Sequence, residues 1–385
     1  MLVALLTMAG HSLAPAAETQ PYWADSRGIP VSGQAAPGLG AFDDVVRAVM
    51  VRHNIPCASL TVTRNGQIVI DRAYGYRDPS RTTPLPTGML FRIASLDKLV
   101  FATAAERMIA EGVIVGPTHE RFTRDLKIFA SLRRAGVLGT ELADVDPRLY
   151  EVTIGQMLEH RSGIAVTYPD VKKVQEFLRV SRLPTSLDML KYRVHGTLKD
   201  DPGSRWEYNN TANEMLWAIM QWINGGWAET VGRYVFTPAS TNAFGLSKTR
   251  PRDRSPQEVW YATERTAQSI FPEDHGALLP VTDGGGMSFD STLITSSAAL
   301  ARYLSTWYMG TGRPLVDSQG KLAPGNDNGL GVYYGGWDGT WTMALQRRWT
   351  LTNVVVLFNH REERAGVKET DLGQAFSAVL DRLGW

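Results

Sequence analysis

The spacing of apolar residues predicts helices at several places along the chain. The first predicted helix covers residues 41–53, where five apolar side chains recur at helical spacing: Phe42, Val45, Val46, Val49 and Met50. Further helices are predicted for residues 95–111, 153–160, 211–224 and 367–383. Residues 115–280 show helical pieces separated by loops rich in proline and glycine, so the middle of the chain is predicted to be mainly helical.

Strand-like runs lie toward both ends of the chain. Residues 59–63 and 67–73 are separated by Arg64-Asn65-Gly66, and Asn-Gly between such runs is a strong hairpin signal. Residues 329–336 and 340–347 are joined through Trp337-Asp338-Gly339, where Asp-Gly indicates the turn, and residues 353–359 form an apolar strand. Because short hairpins join antiparallel strands, the sheet is predicted to be antiparallel.

This order of elements predicts an α/β (α+β) fold. One antiparallel sheet is built from both chain ends and flanked by helices, with a large, mostly helical insert. The α/β lobe is predicted to comprise residues 41–98 and 285–385, and the helical lobe residues 99–284. Residues 18–40, which contain a Gly/Pro/Ala-rich stretch, are interpreted as a linker.

The first 17 residues have the layout of a secretory signal peptide. An apolar stretch over residues 1–10 is followed by Ala14-Pro15-Ala16-Ala17, which provides an A-x-A cleavage site, but no Lys or Arg precedes the apolar stretch. Cleavage there predicts a periplasmic or secreted protein, and without it the protein is cytoplasmic. No other apolar run approaches the ~20 residues that span a bilayer, so no membrane span is expected in the mature chain.

Composition and charge narrow the function classes. The 385 residues are 43% hydrophobic and 21% charged, as in ordinary globular proteins. The 40 Lys and Arg residues nearly balance 39 Asp and Glu residues, so the basic field typical of nucleic-acid-binding proteins is missing. A small-molecule substrate is therefore expected, and no nucleic-acid partner.

The common signatures of metal and nucleotide sites are absent from the sequence. The seven histidines are scattered without an H-x-x-x-H pair, and the single cysteine, Cys57, lies in an apolar run that indicates a small buried residue. There is no P-loop, no strand-linked G-x-G-x-x-G and no G-x-S-x-G elbow, because Ser162 lacks the leading glycine. No metal and no organic cofactor is expected.

Ser95-Leu96-Asp97-Lys98 is the first candidate for chemistry. A serine hydroxyl is a weak nucleophile until a base accepts its proton, and a lysine three residues later on a helix lies on the same face. The start of a helix also favours a developing oxyanion. Alone, the motif fits a helix cap at Ser95 equally well. A second copy, Ser318-x-x-Lys321, lies in a Gly-rich turn and is discarded.

Tyr208-x-Asn210 at the start of the next strong helical segment adds a second candidate pair. A phenol beside an ammonium ionises more easily, so Tyr208 is a candidate general base, and the Asn210 amide suits a substrate carbonyl. Taken alone, the pair is better explained by a structural role, as a loop anchor and a helix cap.

Together these residues resemble the serine β-lactamase and penicillin-recognising superfamily, in particular its class C β-lactamase, DD-peptidase and family VIII carboxylesterase branch. Five landmarks occur in the same order between about residues 40 and 380: Phe91-Arg92-Ile93-Ala94-Ser95-Leu96-Asp97-Lys98, the segment from Thr153 to Ile164, Pro202-Gly203 before Tyr208-Asn209-Asn210, Gly284-Gly285-Gly286-Met287-Ser288, and Val354-Val355-Val356-Leu357-Phe358-Asn359. The resemblance implies a β-lactamase/transpeptidase-like fold. It also implies Ser95 as the acylated nucleophile, Lys98 and Tyr208 as the base system, and Asn210 as a contact of substrate and lysine.

The sequence departs from this family at the third motif. Relatives carry Lys-Thr-Gly or His-x-Gly on the strand that lines the site. Here the position falls on Tyr333-Tyr334-Gly335, with Gly336 supplying an N–H to the oxyanion hole, or, one residue later, on Tyr334-Gly335-Gly336, which resembles the Trp-Gly-Gly of some family VIII esterases. Both registers remain open, and Trp337-Asp338-Gly339 is interpreted as the hairpin turn.

Both registers replace the usual cation by an aromatic residue and keep glycines for close substrate approach. A substrate carboxylate loses its hydration when it enters the site, and without a fixed cation no ion pair offsets this cost. The motif therefore favours neutral acyl substrates. Arg347, Arg348 and Arg361 are the candidates for a cation supplied from elsewhere. Four aromatics are candidate walls of an acyl pocket, about half of them expected to be core residues instead: Tyr333, Tyr334, Trp337 and Trp341.

The sequence therefore predicts a serine hydrolase that acts through an acyl-enzyme on Ser95, a carboxylesterase for small neutral esters. Tyr333, Gly335 and Gly336 are assigned to substrate binding together with Asn210. One alternative keeps the catalytic set and changes the substrate to a β-lactam, a D-amino peptide or another amide. A second alternative, from a different class, is a non-catalytic penicillin-recognising binding module. The oligomeric state is left undecided.

Overall fold

A computed structural model of the chain describes residues 22–139, 144–167, 171–236, 244–248, 250–263, 266–268, 274–275, 278–280, 293–322, 329–337, 339–361 and 369–385. The predicted signal segment, residues 1–17, lies outside these ranges. Within the described ranges, no helix combines the length and the apolar character that crossing a bilayer requires.

The helices in these ranges are α1 (Gly40–Arg52), α2 (Asp97–Ala110), α3 (Ile128–Arg134), α4 (Ile154–Leu158), α5 (Val171–Leu178), α6 (Ser186–Arg193), α7 (Asn210–Asn224), α8 (Trp227–Tyr234), α9 (Ser297–Thr306) and α10 (Glu369–Arg382). The strands are β1 (Val31–Ala35), β2 (Cys57–Arg64), β3 (Gln67–Gly75), β4 (Phe91–Arg92), β5 (Ile114–Val115), β6 (Glu120–Arg121), β7 (Phe244–Leu246), β8 (Thr266–Gln268), β9 (Leu278–Pro280), β10 (Leu293–Thr295), β11 (Leu330–Trp337), β12 (Thr340–Arg347) and β13 (Thr352–Phe358).

The main sheet has six antiparallel strands in the order β1-β3-β2-β13-β12-β11. This confirms the predicted antiparallel sheet built from both ends of the chain. Its central contact joins β2 to β13, with Leu60 opposite Val356. The predicted hairpins are present: Asn65 and Gly66 both have positive φ, of 50° and 76°, as a type I′ turn requires.

The hairpin between β11 and β12 also forms as predicted. Trp337 pairs with Thr340, which makes Trp337 the last residue of its strand and leaves residues 338 and 339 as the loop. Gly339 has a φ of 75°, which glycine adopts without strain. Asp338 itself lies outside the described residues.

Both faces of the sheet are covered, which explains why β13 is apolar throughout. Val354, Val356 and Phe358 pack with residues of α1 and α10 in one core cluster. The alternate residues Val355 and Leu357 point to the other face and join the core shared with α2, α7 and α9. The helical part of the chain therefore packs on the face of the sheet opposite the terminal helices.

One prediction is corrected at the N-terminal side. Within residues 18–40, interpreted as a linker, Val31–Ala35 forms the edge strand β1, which pairs with β3. Its side chains are exposed or only half-buried, so the apolar alternation of a half-buried strand is missing from the sequence. Glycine is required at position 33 of this strand, because a Cβ atom there would lie 2.2 Å from the carbonyl oxygen of Asp71.

Candidate active site

Ser95 lies in a tight turn between the short strand β4 and helix α2. The predicted helix from residue 95 begins instead as a single 3-10 turn, Ala94–Leu96, and becomes α-helical at Asp97. Ala94 has a φ of 46°, a left-handed conformation that is unfavourable for a non-glycine residue. Strain of this kind clusters at functional sites, where the surrounding structure holds the backbone in place.

Buried polar contacts fix the strand that leads into this turn. Arg92 is 2% exposed and its Nε atom donates to Ser247 Oγ at 2.7 Å. The same nitrogen lies 3.3 Å from Glu258 Oε1, which forms a buried ion pair. The backbone N–H of Arg92 donates to the hydroxyl of Tyr261 at 2.8 Å. The turn at Ser95 therefore starts from a rigid anchor.

The structure brings Ser95, Lys98 and Tyr208 together. Tyr208 donates its phenol O–H to Ser95 Oγ at 2.7 Å, although the two residues are 113 positions apart in the sequence. Lys98 Nζ donates to the same oxygen at 3.2 Å, as expected for residues three apart across the start of a helix. A hydroxyl, an ammonium and a phenol thus converge on one oxygen atom.

Lys98 carries the positive charge of this group, and its side chain is only 13% exposed. Burial acts to lower the pKa of Lys98, but Asp97, at 3.7 Å, together with Tyr208 and Tyr333 outweighs it, so the pKa lies above its usual value. The amine is therefore a permanent ammonium at neutral pH. It stabilises negative charge that develops on the oxygen atoms beside it.

Tyr208 is placed by the cap of helix α7. Asn209 is the N-cap residue, and its Oδ1 accepts the backbone N–H of Ala212 at 2.8 Å. The Asn209 amide also donates to the carbonyl of Ile164. The structural role that the sequence left open for Tyr208-x-Asn210 thus belongs to Asn209. Asn210 is the half-buried first residue of α7, directly after it.

The strand β11 passes directly beside the nucleophile turn. A Cβ atom on Gly335 would lie 2.8 Å from the backbone nitrogen of Ser95 and 2.9 Å from the carbonyl oxygen of Ile93. Thr342 Oγ1 on β12 donates to Ile93 O at 3.0 Å and lies 3.1 Å from Gly335 O. This close approach requires glycine at position 335, which belongs to both registers of the third motif.

The sequence of this chain matches a family model. The model is the one described as Beta-lactamase, and it matches residues 42–370. The chain belongs to the beta-lactamase family. A relative in Burkholderia gladioli, the esterase EstB, is 26% identical over 265 residues, which are 63% of this chain and 62% of EstB.

Solved structures share the fold of this beta-lactamase family member. The octameric penicillin-binding protein homologue from Pyrococcus abyssi superposes with a TM-score of 0.61 at 17% identity, over 90% of this chain and 78% of that one. EstCE1, described as a hydrolase with promiscuous acyltransferase activity, gives a TM-score of 0.59 at 18% identity, over 88% of this chain and 97% of its own. At these identities the likeness concerns the fold.

The alternation of side chains along β11 and β12 shows on which face of the sheet each candidate aromatic residue lies. Tyr333 is half-buried against the core cluster that contains Leu96 and Leu99, on the side of the nucleophile turn. Tyr334 packs in the opposite cluster, beside α10, and Trp341 is 3% exposed there. The side chain of Trp337 lies outside the described residues. Trp341 is therefore a core residue, and the half-buried Tyr334 packs against the same core, so neither is assigned to the pocket wall.

Tyr333 also interacts with the base system. Burial first and the neighbouring phenol of Tyr208 second raise the pKa of Tyr333, although the charge of Lys98 acts in the opposite direction. Tyr333 is accordingly a neutral phenol at physiological pH.

One of the three candidate arginines lies at the third motif. A Cβ atom on Gly336 would lie 2.5 Å from Arg361 Nη1, so the guanidinium packs on this glycine. Arg347 instead donates to Asp381 Oδ1 at 2.7 Å, and Arg348 packs on the ring of Tyr308 with Cζ 4.4 Å from its centroid. Of the three arginines named as possible sources of a cation, Arg361 is therefore the one that lies against Gly336.

Two further points concern residues of the expected motifs. Gly284-Gly285-Gly286-Met287-Ser288 lies outside the described residues. His160, which sequence reasoning treated as one of several scattered histidines, packs against Tyr208 with ring centroids 4.8 Å apart. Its position before Arg161-Ser162-Gly163 gives no signal of this contact, because Tyr208 follows 48 positions later in the chain.

Proposed function

We propose that this protein is a serine hydrolase that acts through an acyl-enzyme on Ser95, with small neutral esters as its preferred substrates. The observation that carries the proposal is the convergence on Ser95 Oγ of the Tyr208 phenol at 2.7 Å and the Lys98 ammonium at 3.2 Å. This arrangement supplies a nucleophile, a proton acceptor and a charge that stabilises the acceptor in its ionised form.

In the acylation step, the reactive form is the one in which the Tyr208 phenol has released its proton to solvent; Ser95 Oγ then attacks the ester carbonyl while this phenolate accepts the serine proton. The short oxygen-to-oxygen distance suits this transfer, and Lys98 compensates the charge on Tyr208 before the proton moves. The carbonyl oxygen becomes an oxyanion, which the N–H groups of Ser95 and Gly336 are proposed to bind. Loss of one such donor typically costs about 3 kcal/mol of transition-state stabilisation.

The tetrahedral intermediate collapses when the bond to the alkoxide leaving group breaks. The leaving alcohol takes the proton back from Tyr208, which leaves an acyl ester on Ser95 and regenerates the phenolate. Water then loses a proton to Tyr208 as it attacks the acyl carbon, and the proton returns to Ser95 as the acid leaves.

Two observations favour neutral esters. In the register Tyr333-Tyr334-Gly335, the neutral phenol of Tyr333 takes the place that the family resemblance assigns to a cation, so Tyr333 itself offers a substrate carboxylate no charge. The relative with 26% identity, EstB, is an esterase. Asn210 is proposed to contact the substrate carbonyl or Lys98, since it begins α7 two residues after Tyr208.

Arg361 favours a second candidate function. Its guanidinium lies at Gly336, on the strand next to the proposed oxyanion site, where it would bind a substrate carboxylate. Under this candidate the enzyme hydrolyses carboxylate-bearing amides, such as β-lactams or D-amino peptides, with the same catalytic residues.

A side-by-side assay separates the two candidates. Turnover of p-nitrophenyl butyrate and nitrocefin is measured for the wild-type enzyme, Ser95→Ala and Arg361→Gln. We expect ester turnover to exceed nitrocefin turnover, to disappear in Ser95→Ala and to persist in Arg361→Gln. Faster nitrocefin turnover that falls in Arg361→Gln would instead establish the second candidate.

Covalent labelling tests the chemistry independently of the substrate. A fluorophosphonate probe should add to Ser95 of the wild-type protein and leave Ser95→Ala unlabelled, as read by intact mass and peptide mapping. A folded wild-type protein without an adduct would contradict the acyl-enzyme and support a non-catalytic binding module.

We further propose that residues 1–17 are removed on export to the periplasm or the medium. The supporting feature is the apolar stretch followed by Ala14-Pro15-Ala16-Ala17. Intact-mass measurement after expression with these residues should show the shortened chain in the periplasmic fraction, and a full-length cytoplasmic product would contradict export.

A further inference from the structure

His160 forms hydrogen bonds to the residues on both sides of Tyr208. It follows the C-cap of helix α4 and has a φ of 56°, in the left-handed region. Its backbone carbonyl accepts the N–H of Glu207 at 2.8 Å, and its Nδ1 atom accepts the N–H of Asn209 at 3.0 Å. The backbone on either side of Tyr208 is therefore tied to one residue.

The imidazole of His160 also contacts Tyr208 itself. The two ring centroids are 4.8 Å apart with an angle of 34° between the planes. The imidazole also meets Trp206 edge to face, with ring centroids 6.1 Å apart, and Asn213 Nδ2 lies 3.3 Å from Nδ1. The orientation of the phenol that contacts Ser95 thus depends on this imidazole.

These contacts specify one protonation state of His160. Because Nδ1 accepts the backbone N–H of Asn209, it carries no proton, and the neutral ring holds its proton on Nε2. A proton on Nδ1 would oppose this N–H and break the hydrogen bond. Burial first, and the positive charge of Lys98 second, lower the pKa of His160 below its ordinary value, so the ring is neutral at physiological pH.

Charged groups lie on several elements around His160. Lys98 of α2 acts directly on the imidazole. On the neighbouring segments the Glu207 carboxylate accepts from Lys199 Nζ at 2.6 Å, the Glu159 carboxylate pairs with Arg124, and the Arg161 guanidinium donates to Gly203 O at 2.6 Å. Each of these three groups has a partner of its own, which leaves Lys98 as the charge that acts on the ring.

We propose that His160 is a positioning residue for Tyr208: the neutral imidazole holds the phenol against Ser95, and protonation at Nδ1 releases it. The inference rests on the proposed function, because it takes Ser95 as the nucleophile and Tyr208 as its base. It predicts that kcat/KM for ester hydrolysis falls in acidic solution as His160 takes up a proton, and that this acid limb belongs to His160.

The test uses two substitutions of His160. His160→Asn keeps an acceptor on the δ atom, tolerates a positive φ and cannot be protonated. His160→Leu removes the acceptor and the tolerance of positive φ. The matched control is His119, which has the same φ of 56° but is exposed and lies in a different part of the chain. The measurements are kcat and KM from pH 4.5 to 9, the rate of fluorophosphonate labelling and the melting temperature.

We expect His160→Leu to lower kcat by about 10²-fold with little change in KM, since a misplaced catalytic group costs about that much. His160→Asn should restore most of the lost rate at pH 8 and shift the acid limb to lower pH by more than one unit. The two His119 variants should follow the wild-type profile.

An unchanged acid limb in His160→Asn would overturn the inference, as would a folded His160→Leu with kcat within threefold of wild type. If His160→Leu does not fold, the comparison of wild type with His160→Asn still decides. The proposed function fails separately, when wild-type Ser95 is not labelled at any pH.

Discussion

Gly335 leaves no room for a side chain beside the nucleophile turn. In Gly335→Ala the new methyl carbon would lie 2.6 Å from Thr342 Oγ1, 2.8 Å from the Ser95 nitrogen and 2.9 Å from the Ile93 carbonyl oxygen. Two of these atoms are backbone, so rotation of a side chain does not relieve the contact. The strand β11 must move away from the nucleophile turn by about 0.5 Å or more to restore van der Waals contact.

This displacement has a predictable cost. Overpacking of this kind destabilises a protein by about 1–3 kcal/mol, which leaves a domain of ordinary stability folded. The catalytic cost is larger, because the shift moves the proposed oxyanion donors of Ser95 and Gly336 apart. A misplacement of about 1 Å, or the loss of one oxyanion donor, lowers kcat by about 10²-fold.

The assay is steady-state hydrolysis of p-nitrophenyl butyrate with a parallel thermal melt. The matched control is Gly331→Ala on the same strand, where the nearest atom to the new methyl is the flexible Met309 Sδ at 3.3 Å. We expect Gly331→Ala to keep kcat within a few-fold of wild type. A folded Gly335→Ala that matches it in kcat would refute the placement of β11 at the oxyanion site.

Other predictions address the base system and the fold. Tyr333→Phe removes a hydroxyl beside Tyr208 and should lower kcat about tenfold at unchanged KM, measured with the same ester; a change in KM alone would assign Tyr333 to substrate binding instead. The raised pKa of Lys98 keeps its ammonium well into alkaline solution, so loss of this charge should produce no basic limb in kcat/KM between pH 7 and about 10, and a limb that Lys98→Met abolishes would contradict this. Gly163→Ala places a methyl carbon 2.1 Å from the carbonyl oxygen of Asp200 at a φ of 73°. This substitution should lower the free energy of unfolding, measured in urea, by about 2 kcal/mol or more. The control Gly136→Ala, with a φ of 69° and open space around it, should lose about 1 kcal/mol.

The regular elements follow from the sequence because their patterns are local. The helix predicted for residues 211–224 is α7, Asn210–Asn224, and the apolar strand predicted for 353–359 is β13, Thr352–Phe358. The edge strand β1 was not predictable from an apolar pattern, because a strand that is exposed on much of its surface needs no apolar alternation. The 3-10 turn at Ser95 was not predictable from local sequence either, because the surrounding fold imposes a left-handed φ on Ala94.

The site was predictable as far as side chains carry a recognisable pattern. Ser95, Lys98 and Tyr208 have the spacing and order of a known family, and the structure places them within hydrogen-bond distance. Arg361 at Gly336 and His160 at Tyr208 are contacts between distant segments, made by residue types that occur anywhere on a protein. Three-dimensional packing alone reveals them.

The pairing of β2 with β13 has a consequence for biosynthesis. Thr61 lies opposite Val355, so nearly 300 intervening residues must leave the ribosome before the centre of the sheet can close. The turn that presents Ser95 rests against β11, which adjoins this late-arriving half of the sheet. A nascent chain therefore holds its nucleophile for most of translation without the strand beside it, and contacts of such long sequence separation form slowly. Activity should appear abruptly, only once the β11–β13 strands have emerged, and chaperones that shield an incomplete sheet should raise the yield of active enzyme.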